Sequence, residues 1–176
     1  MSDVEKLRNV IGLDSELNQV KDLDILLERI LTESRTVAKA DAGSIYIRNQ
    51  NGLAISYAQN DTIQANLPPG QKLIYKIFTV PVDKKSIAGY VCSTGEVLNL
   101  RDVYKIPKDK PYGFARSYDT LSGYRSKSML TVPLRTANGE VLGVIQMLTK
   151  PAEKGNVIPF DMDDELVVMH FATKAT

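Results

Sequence analysis

The chain predicts an α+β fold, with a central antiparallel β-sheet, N- and C-terminal helices on one face, and short helices and loops forming a ligand pocket on the other. Three observations predict it. Apolar residues recur at helical spacing near both ends, the period changes to two between them, and two alternating runs are each split by a glycine-containing turn, at Asn51-Gly52 and at "ANGE" (137–140). A length of 176 residues, 43% hydrophobic and 24% charged, suits one domain with its own core.

Val4, Leu7, Val10 and Ile11 mark a short amphipathic helix, with Gly12 placed to stop it. Residues 1–21 are expected to be a helical extension used for dimerisation or as a linker, and 22–176 the domain proper. Asp22 can cap a longer helix whose stripe is Leu23, Leu26, Leu27, Ile30, Leu31 and Val37. "GSIYIRN" (43–49) and "GLAISYAQND" (52–61) are the strands of the first hairpin, and "LPPG" (67–70) breaks the pattern. A third strand is expected in "KLIYKIFTVPVD" (72–83), its end pushed to a sheet edge by Pro81.

"SIAGYVCSTGE" (86–96) reads as a short helix capped by Ser86 and stopped at Gly95, in which Ala88 and Gly89 would permit a ligand to approach the backbone and the amides after Ser86 could meet an anion. Residues 101–118, with two prolines, a glycine and many charges, form a long, partly helical surface connection of the sort that carries function. "SMLTVPLR" (128–135) and "VLGVIQMLTK" (141–150) make the second hairpin. "FDMDDELVVMHFATKAT" (160–176) starts a helix with acidic residues in its first turn, and the pattern still runs at Thr176, which predicts further chain beyond it.

A formal net charge of +1 provides no field to gather nucleic acid or anionic membrane, and no apolar run could cross a bilayer. One cysteine and no secretory leader predict a cytoplasmic protein. The spacings of phosphate-binding loops, dinucleotide folds, zinc sites and dithiol motifs are all absent, and no metal site is expected. His170, the single histidine, reads as a packed or interfacial imidazole, Asp161–Glu165 as helix N-terminal charge, and "KIPKDKP" (105–111) as a solvated loop. Cys92 reads as a packed thiol, a Cys92-dependent enzyme being the last-ranked alternative.

Four ordered stretches, "DLDILLERIL…ADAGSIYI", "SIAGYVCSTGE", "SGYRSKSMLTVPLR" and "GEVLGVIQMLTK", together resemble a GAF domain, the small-molecule-sensing module of cyclic-nucleotide phosphodiesterases and bacterial signalling proteins. The resemblance runs from Asp22 to the end. It implies a structural signature at Lys150, Phe160, Asp164 and Glu165, with Thr149 where the family's cyclic-nucleotide branch has asparagine. It also implies a ligand site at Ser44, Ile87, Ala88, Asp119, Ser122 and Ser126, with cAMP or cGMP as candidate ligand and no catalytic residue. The alternative for Ser122 and Ser126 is that they cap and end a helix. Reductase, bilin-binding and haem-binding branches of the family fit less well, because the chain has one cysteine, followed by Ser93, and one histidine near its end.

The resemblance implies a non-catalytic regulatory domain controlling an output such as a cyclic-di-GMP phosphodiesterase, diguanylate cyclase or histidine kinase, with the long connection as lid. The apolar stripes of the terminal helices would pair two copies as a parallel homodimer. A ligand-free dimerisation module is the alternative. No nucleic-acid partner is expected.

Overall fold

A computed structural model describes residues 2–17, 22–72 and 78–176. Its elements in order are α1 (Asp3–Leu17), α2 (Leu23–Ala38), β1 (Ala42–Asn49), β2 (Gly52–Asn60), α3 (Asp61–Ala65), β3 (Thr79–Val80), α4 (Ile87–Thr94), β4 (Leu98–Leu100), α5 (Ser117–Ser122), β5 (Met129–Arg135), β6 (Val141–Leu148), β7 (Lys150–Pro151), β8 (Val157–Ile158) and α6 (Met162–Ala172). The main sheet is antiparallel in the order β3-β2-β1-β6-β5-β4, so the two hairpins join through their inner strands β1 and β6. The α+β class and the two-faced arrangement are as the sequence predicts.

Alternation along the strands makes the two faces different. Ile45 of β1, Leu130, Val132 and Leu134 of β5, and Ile145 and Met147 of β6 point to one face, where Leu27, Ile30 and Leu31 of α2 and Val168 and Phe171 of α6 cover them. Each such side chain, fully buried, contributes about 1.5–3 kcal/mol. Tyr46 and Val144 point to the other face, under Ala88, Val91 and Cys92 of α4. At the central seam a Cβ on Gly143 would lie 2.1 Å from the Tyr46 carbonyl oxygen, so β6 approaches β1 there only as glycine.

The helices form where their end groups are met. The Asp22 carboxylate accepts from the N–H groups of Asp24 and Ile25 at 3.0 and 3.2 Å, opening α2. Asp161 and Asp164 accept from each other's N–H at 2.8 and 2.9 Å in a capping box that opens α6. Gly12 does not stop α1, which runs on to Leu17; Val10 and Leu13 pack on the core and Leu17 is buried in it, so tertiary packing outweighs the cost of one helical glycine, about 1 kcal/mol. Of the expected third strand only Thr79–Val80 pairs, on the sheet edge that Pro81 favours, and residues 73–77 lie outside the described residues.

The chain leaves β6 through an unusual residue. Thr149 has φ +60°, a left-handed conformation that costs a β-branched side chain roughly 1–2 kcal/mol. Three hydrogen bonds hold it there: its N–H donates to the Ser128 carbonyl (2.7 Å), its carbonyl accepts from the Asp41 N–H (2.9 Å), and its hydroxyl accepts from the Lys127 N–H (3.3 Å). The left-handed step breaks the alternation that would place residue 150 on the same face as Gln146 and Leu148. Lys150 instead reaches the α6 face, where its ammonium pairs with the buried Asp164 carboxylate and lies 3.8 Å from Asp161. Burial opposes ionisation of Asp161, but the Asp164 N–H and the Lys150 charge outweigh it and hold that carboxyl below its usual range. The stability it contributes is complete above about pH 4 and is lost as the pH falls further.

Two outcomes follow from this turn. Thr149→Asn, which keeps a polar side chain and tolerates φ above zero, should stabilise the protein by about 1 kcal/mol, a rise in melting temperature of about 2–4 °C; an unchanged or lower value contradicts the strain. In urea titrations Lys150→Met should cost about 3–5 kcal/mol by leaving Asp164 buried without a counter-charge, and Lys150→Met with Asp164→Asn should recover most of it. A double variant no more stable than the single one contradicts that reading.

Candidate functional site

The sheet face under α4 and α5 carries a row of buried polar side chains. Ser44 of β1 stands opposite Gln146 of β6, and Gln146 opposite Thr131 of β5, so the three lie side by side across adjacent strands. All three are buried. The Gln146 amide donates to the Thr131 hydroxyl at 3.2 Å. Burial, with the nearby Tyr118, pushes the Tyr46 phenol well above its usual pKa, so it stays neutral. The row ends in apolar neighbours, Ala58 on β2 and Leu98 on β4.

The cover is built from α4 and α5. Ala88 packs with Tyr46 and Val144, while Ile87 packs with Val103, Tyr112 and Met129, so both face the interior. The Ser86 hydroxyl caps α4 by accepting from the Gly89 N–H at 3.0 Å. A Cβ on Gly89 would come within 2.5 Å of the Asp83 carbonyl oxygen and 2.7 Å of that of Pro81. The glycine therefore makes room for the chain's own residues 81–86, which corrects the expectation that it clears a path for a ligand. Tyr46, Phe78 and Tyr118 form an aromatic column from sheet to α5, the first pair edge to face and the second tilted, with ring centroids 6.0 and 5.7 Å apart.

Asp119 and Ser126 come together, with Ser122 beside them. One oxygen of the buried Asp119 carboxylate accepts from the Tyr104 hydroxyl (2.6 Å) and the Ser126 N–H (2.8 Å), and the other from the Ser126 hydroxyl (2.8 Å). That hydrogen bond to Asp119 raises the Tyr104 pKa. The exposed Ser122 hydroxyl accepts from the Tyr124 N–H at 3.2 Å, ending α5 just before Gly123 turns at φ +71°. Tyr124 in turn donates to Asp41 at 2.8 Å, which also accepts from the Thr62 hydroxyl at 2.6 Å. Burial, first, raises the Tyr124 pKa too.

The signature residues gather on the opposite face. Lys150 and Asp164 form the ion pair, Phe160 is buried in the core under α6, and its carbonyl accepts from the Asn99 amide at 2.8 Å. Glu165 is half-buried in the first turn of α6. Cys92 is buried among apolar side chains of α4 and the sheet, and burial raises its thiol pKa against the opposing charge of Arg48. Among the described residues no cluster of three or more His, Cys, Asp or Glu could hold a metal ion.

The sequence reading missed Thr131, Gln146, Tyr104 and Tyr124. The signal for the first two was available: a polar side chain at an interior position of an otherwise apolar strand, "VLGVIQML" or "MLTVPLR". Tyr104 and Tyr124 sit in irregular segments, where only the folded chain brings them to Asp119 and Asp41.

A family model for the GAF domain matches residues 22–176. The chain is 36% identical, over 87 residues, to the dual 3',5'-cyclic-AMP and -GMP phosphodiesterase 11A of Takifugu rubripes, a match that covers 49% of this chain and only 9% of that protein. Among solved structures it is similar to the GAF domain of a phosphoenolpyruvate-protein phosphotransferase from Acinetobacter, with 17% identity, TM-score 0.66 and coverage of 99% of this chain and 92% of that one. It is also similar to the free methionine-R-sulfoxide reductase of Neisseria meningitidis, with 16% identity, TM-score 0.70 and coverage of 99% and 89%. At such identities the structures show the fold alone. Family match, strand order and the two-faced sheet agree, and the chain belongs to the GAF family.

Proposed function

We propose that this GAF domain is a non-catalytic sensor that binds a small molecule between the sheet face and the α4–α5 cover and passes its occupancy to an output domain. The observation that carries the reading is the row Ser44, Gln146 and Thr131. Polar groups buried in a packing layer cost free energy, and placed under a helical cover they offer a ligand both donors and acceptors. cAMP and cGMP are the candidate ligands, on the family's phosphodiesterase-type match. Asp119 already accepts three hydrogen bonds, from Tyr104 and Ser126, so a purine N–H would join or displace partners that hold α5, and binding would bear on the position of α5.

That movement has a route to the terminal helix. Ser126 holds Asp119, Lys127 donates to the Thr149 hydroxyl, the Ser128 hydroxyl accepts from the Lys150 N–H at 3.0 Å, and Lys150 grips Asp164 at the start of α6. A ligand that prefers one arrangement of α5 shifts the population of the other end. The output would be a cyclic-di-GMP phosphodiesterase, diguanylate cyclase or histidine kinase. Val4, Leu7 and Ile11 on α1, with Met162, Leu166 and Met169 on α6, are exposed apolar residues that support a homodimer through the terminal helices. No described helix is long and apolar enough to cross a membrane. We place the domain in the cytoplasm, where its single thiol would stay reduced.

Two observations favour a second reading. The Tyr46–Phe78–Tyr118 column and the three hydrogen bonds that Asp119 already accepts within the chain suit a ligand-free dimerisation module.

A thermal-shift panel separates the two readings. At 100 times its dissociation constant a bound cyclic nucleotide stabilises by about 2.7 kcal/mol, so cAMP or cGMP at millimolar concentration should raise the melting temperature by about 5–10 °C, and Ser44→Val with Gln146→Leu should abolish the shift. No shift with either nucleotide contradicts the cyclic-nucleotide reading. Against the enzyme alternative, native Cys92 should react with a disulfide reagent at least a hundredfold more slowly than the urea-unfolded thiol; comparable rates would revive it.

A further inference from the structure

The long connection between β4 and α5 carries a feature that the sheet-face site does not use. Residues 103–116 line an open recess of about 220 Å³, with no contribution from the sheet. Its accessible lining is mostly polar; Tyr104, Tyr112 and Phe114 supply rings and Lys108, Lys110 and Arg116 the charges, with no carboxylate among them. Tyr104 and Phe114 meet edge to face at 5.4 Å. An aromatic wall beside several cations is the chemistry that holds a planar ring through its face and an anion through charge-assisted hydrogen bonds.

The charges here are not neutralised by carboxylates. Arg116 and Arg125 both lie over the Tyr104 ring, at 4.9 and 4.1 Å from its centroid, so two guanidiniums share one neutral ring. Among the described residues neither of them, nor Lys108 or Lys110, pairs with a carboxylate. Asp119, the nearest buried acid, has both oxygens occupied by Tyr104 and Ser126. Residues 101–127 hold seven Lys and Arg against three Asp in a chain whose net charge is +1, so the remainder is net negative and the field is concentrated on this lobe.

The recess is also held in shape before any ligand arrives. The Val103 N–H donates to the Lys127 carbonyl and the Gly113 N–H to the Lys85 carbonyl, both at 2.9 Å. Asp102 caps the turn at Tyr104 by accepting its N–H at 3.0 Å, and the Tyr104 hydroxyl is fixed on Asp119 at 2.6 Å. A backbone already held in shape loses little freedom on binding.

We propose that this recess is a second ligand site, which adjoins the sheet-face site through the Tyr104–Asp119 hydrogen bond and takes a small aromatic phosphate of the aryl phosphate or nucleoside monophosphate class. The ring lies against Phe114, and the phosphate on the two lysines and on Arg116, which leaves the Tyr104 ring to reach it. Arg116 presents a planar fork to two phosphate oxygens and the lysines add point charges.

The experiment is an amide-resolved NMR titration of the intact chain with phenyl phosphate and with AMP, against adenosine and inorganic phosphate. The expected result is saturable shifts at residues 103–116 with at least one of the two aromatic phosphates, the tighter of them naming the source. Adenosine and inorganic phosphate should each bind at least tenfold more weakly, and affinity should fall at higher salt. Lys110→Glu with Arg116→Glu should weaken binding at least tenfold, while Ser44→Val with Gln146→Leu, which tests the sheet-face site, should leave it unchanged. Shifts centred on Ser44, Thr131 and Gln146, equal binding of inorganic phosphate, or indifference to the Lys110 and Arg116 changes would each overturn the proposal.

Discussion

The Lys150 ammonium buried against the Asp164 carboxylate is the contact on which the arrangement of this domain depends. It ties the end of a central strand to the first turn of the helix that closes the core, and it exists only because Thr149 turns through a left-handed conformation. An ion pair taken out of water is a costly contact unless its remaining hydrogen-bonding capacity is met. Here it is met locally, because Asp164 also accepts from the Asp161 N–H within the capping box. Position, not surplus stability, is what the pair provides. It sets where α6 begins, and with it how Val168 and Phe171 reach the sheet.

The same turn links the two faces of the sheet by hydrogen bonds. Lys127 and Ser128, which follow α5, bond to Thr149 and Lys150, which lead into α6. Asp41 joins from the other side, accepting from Tyr124 and donating its N–H to the Thr149 carbonyl. A cover that moves must therefore disturb the residues that position the helix. Few apolar contacts hold α5 itself; Leu121 is 87% exposed, and its buried anchor is the polar Asp119. An element held mainly by exchangeable hydrogen bonds can shift at modest cost, whereas the helix face, packed with Ile30, Leu31, Ile145 and Phe171, cannot.

Much of this architecture could be read from the chain. The stripe of α2, the two hairpins and the acidic opening of α6 are local patterns, and a local pattern survives folding when tertiary packing agrees with it. The short pieces could not be read. β4, α3, α5 and the β7–β8 hairpin span two to six residues, too few for a period, and α1 outran Gly12 because Leu17 had a core to enter. In the site, Ser44, Ile87, Ala88, Asp119, Ser122 and Ser126 came through resemblance, and the structure adds what each touches. Asp119 reads as an acceptor for a ligand in the linear sequence; in the fold its partners are Tyr104 and Ser126, 15 and 7 residues away. No spacing rule encodes that.

The central claim is that α5 and the terminal helix share one junction at residues 149–150. Native-state hydrogen exchange in the variant combining Lys150→Met with Asp164→Asn tests it most directly, because that variant loosens the junction without leaving a buried charge. The account predicts faster exchange both in the first turn of α6 and in residues 117–128, with the α2 amides unchanged. Acceleration confined to α6, with residues 117–128 exchanging as in the parent protein, would contradict it.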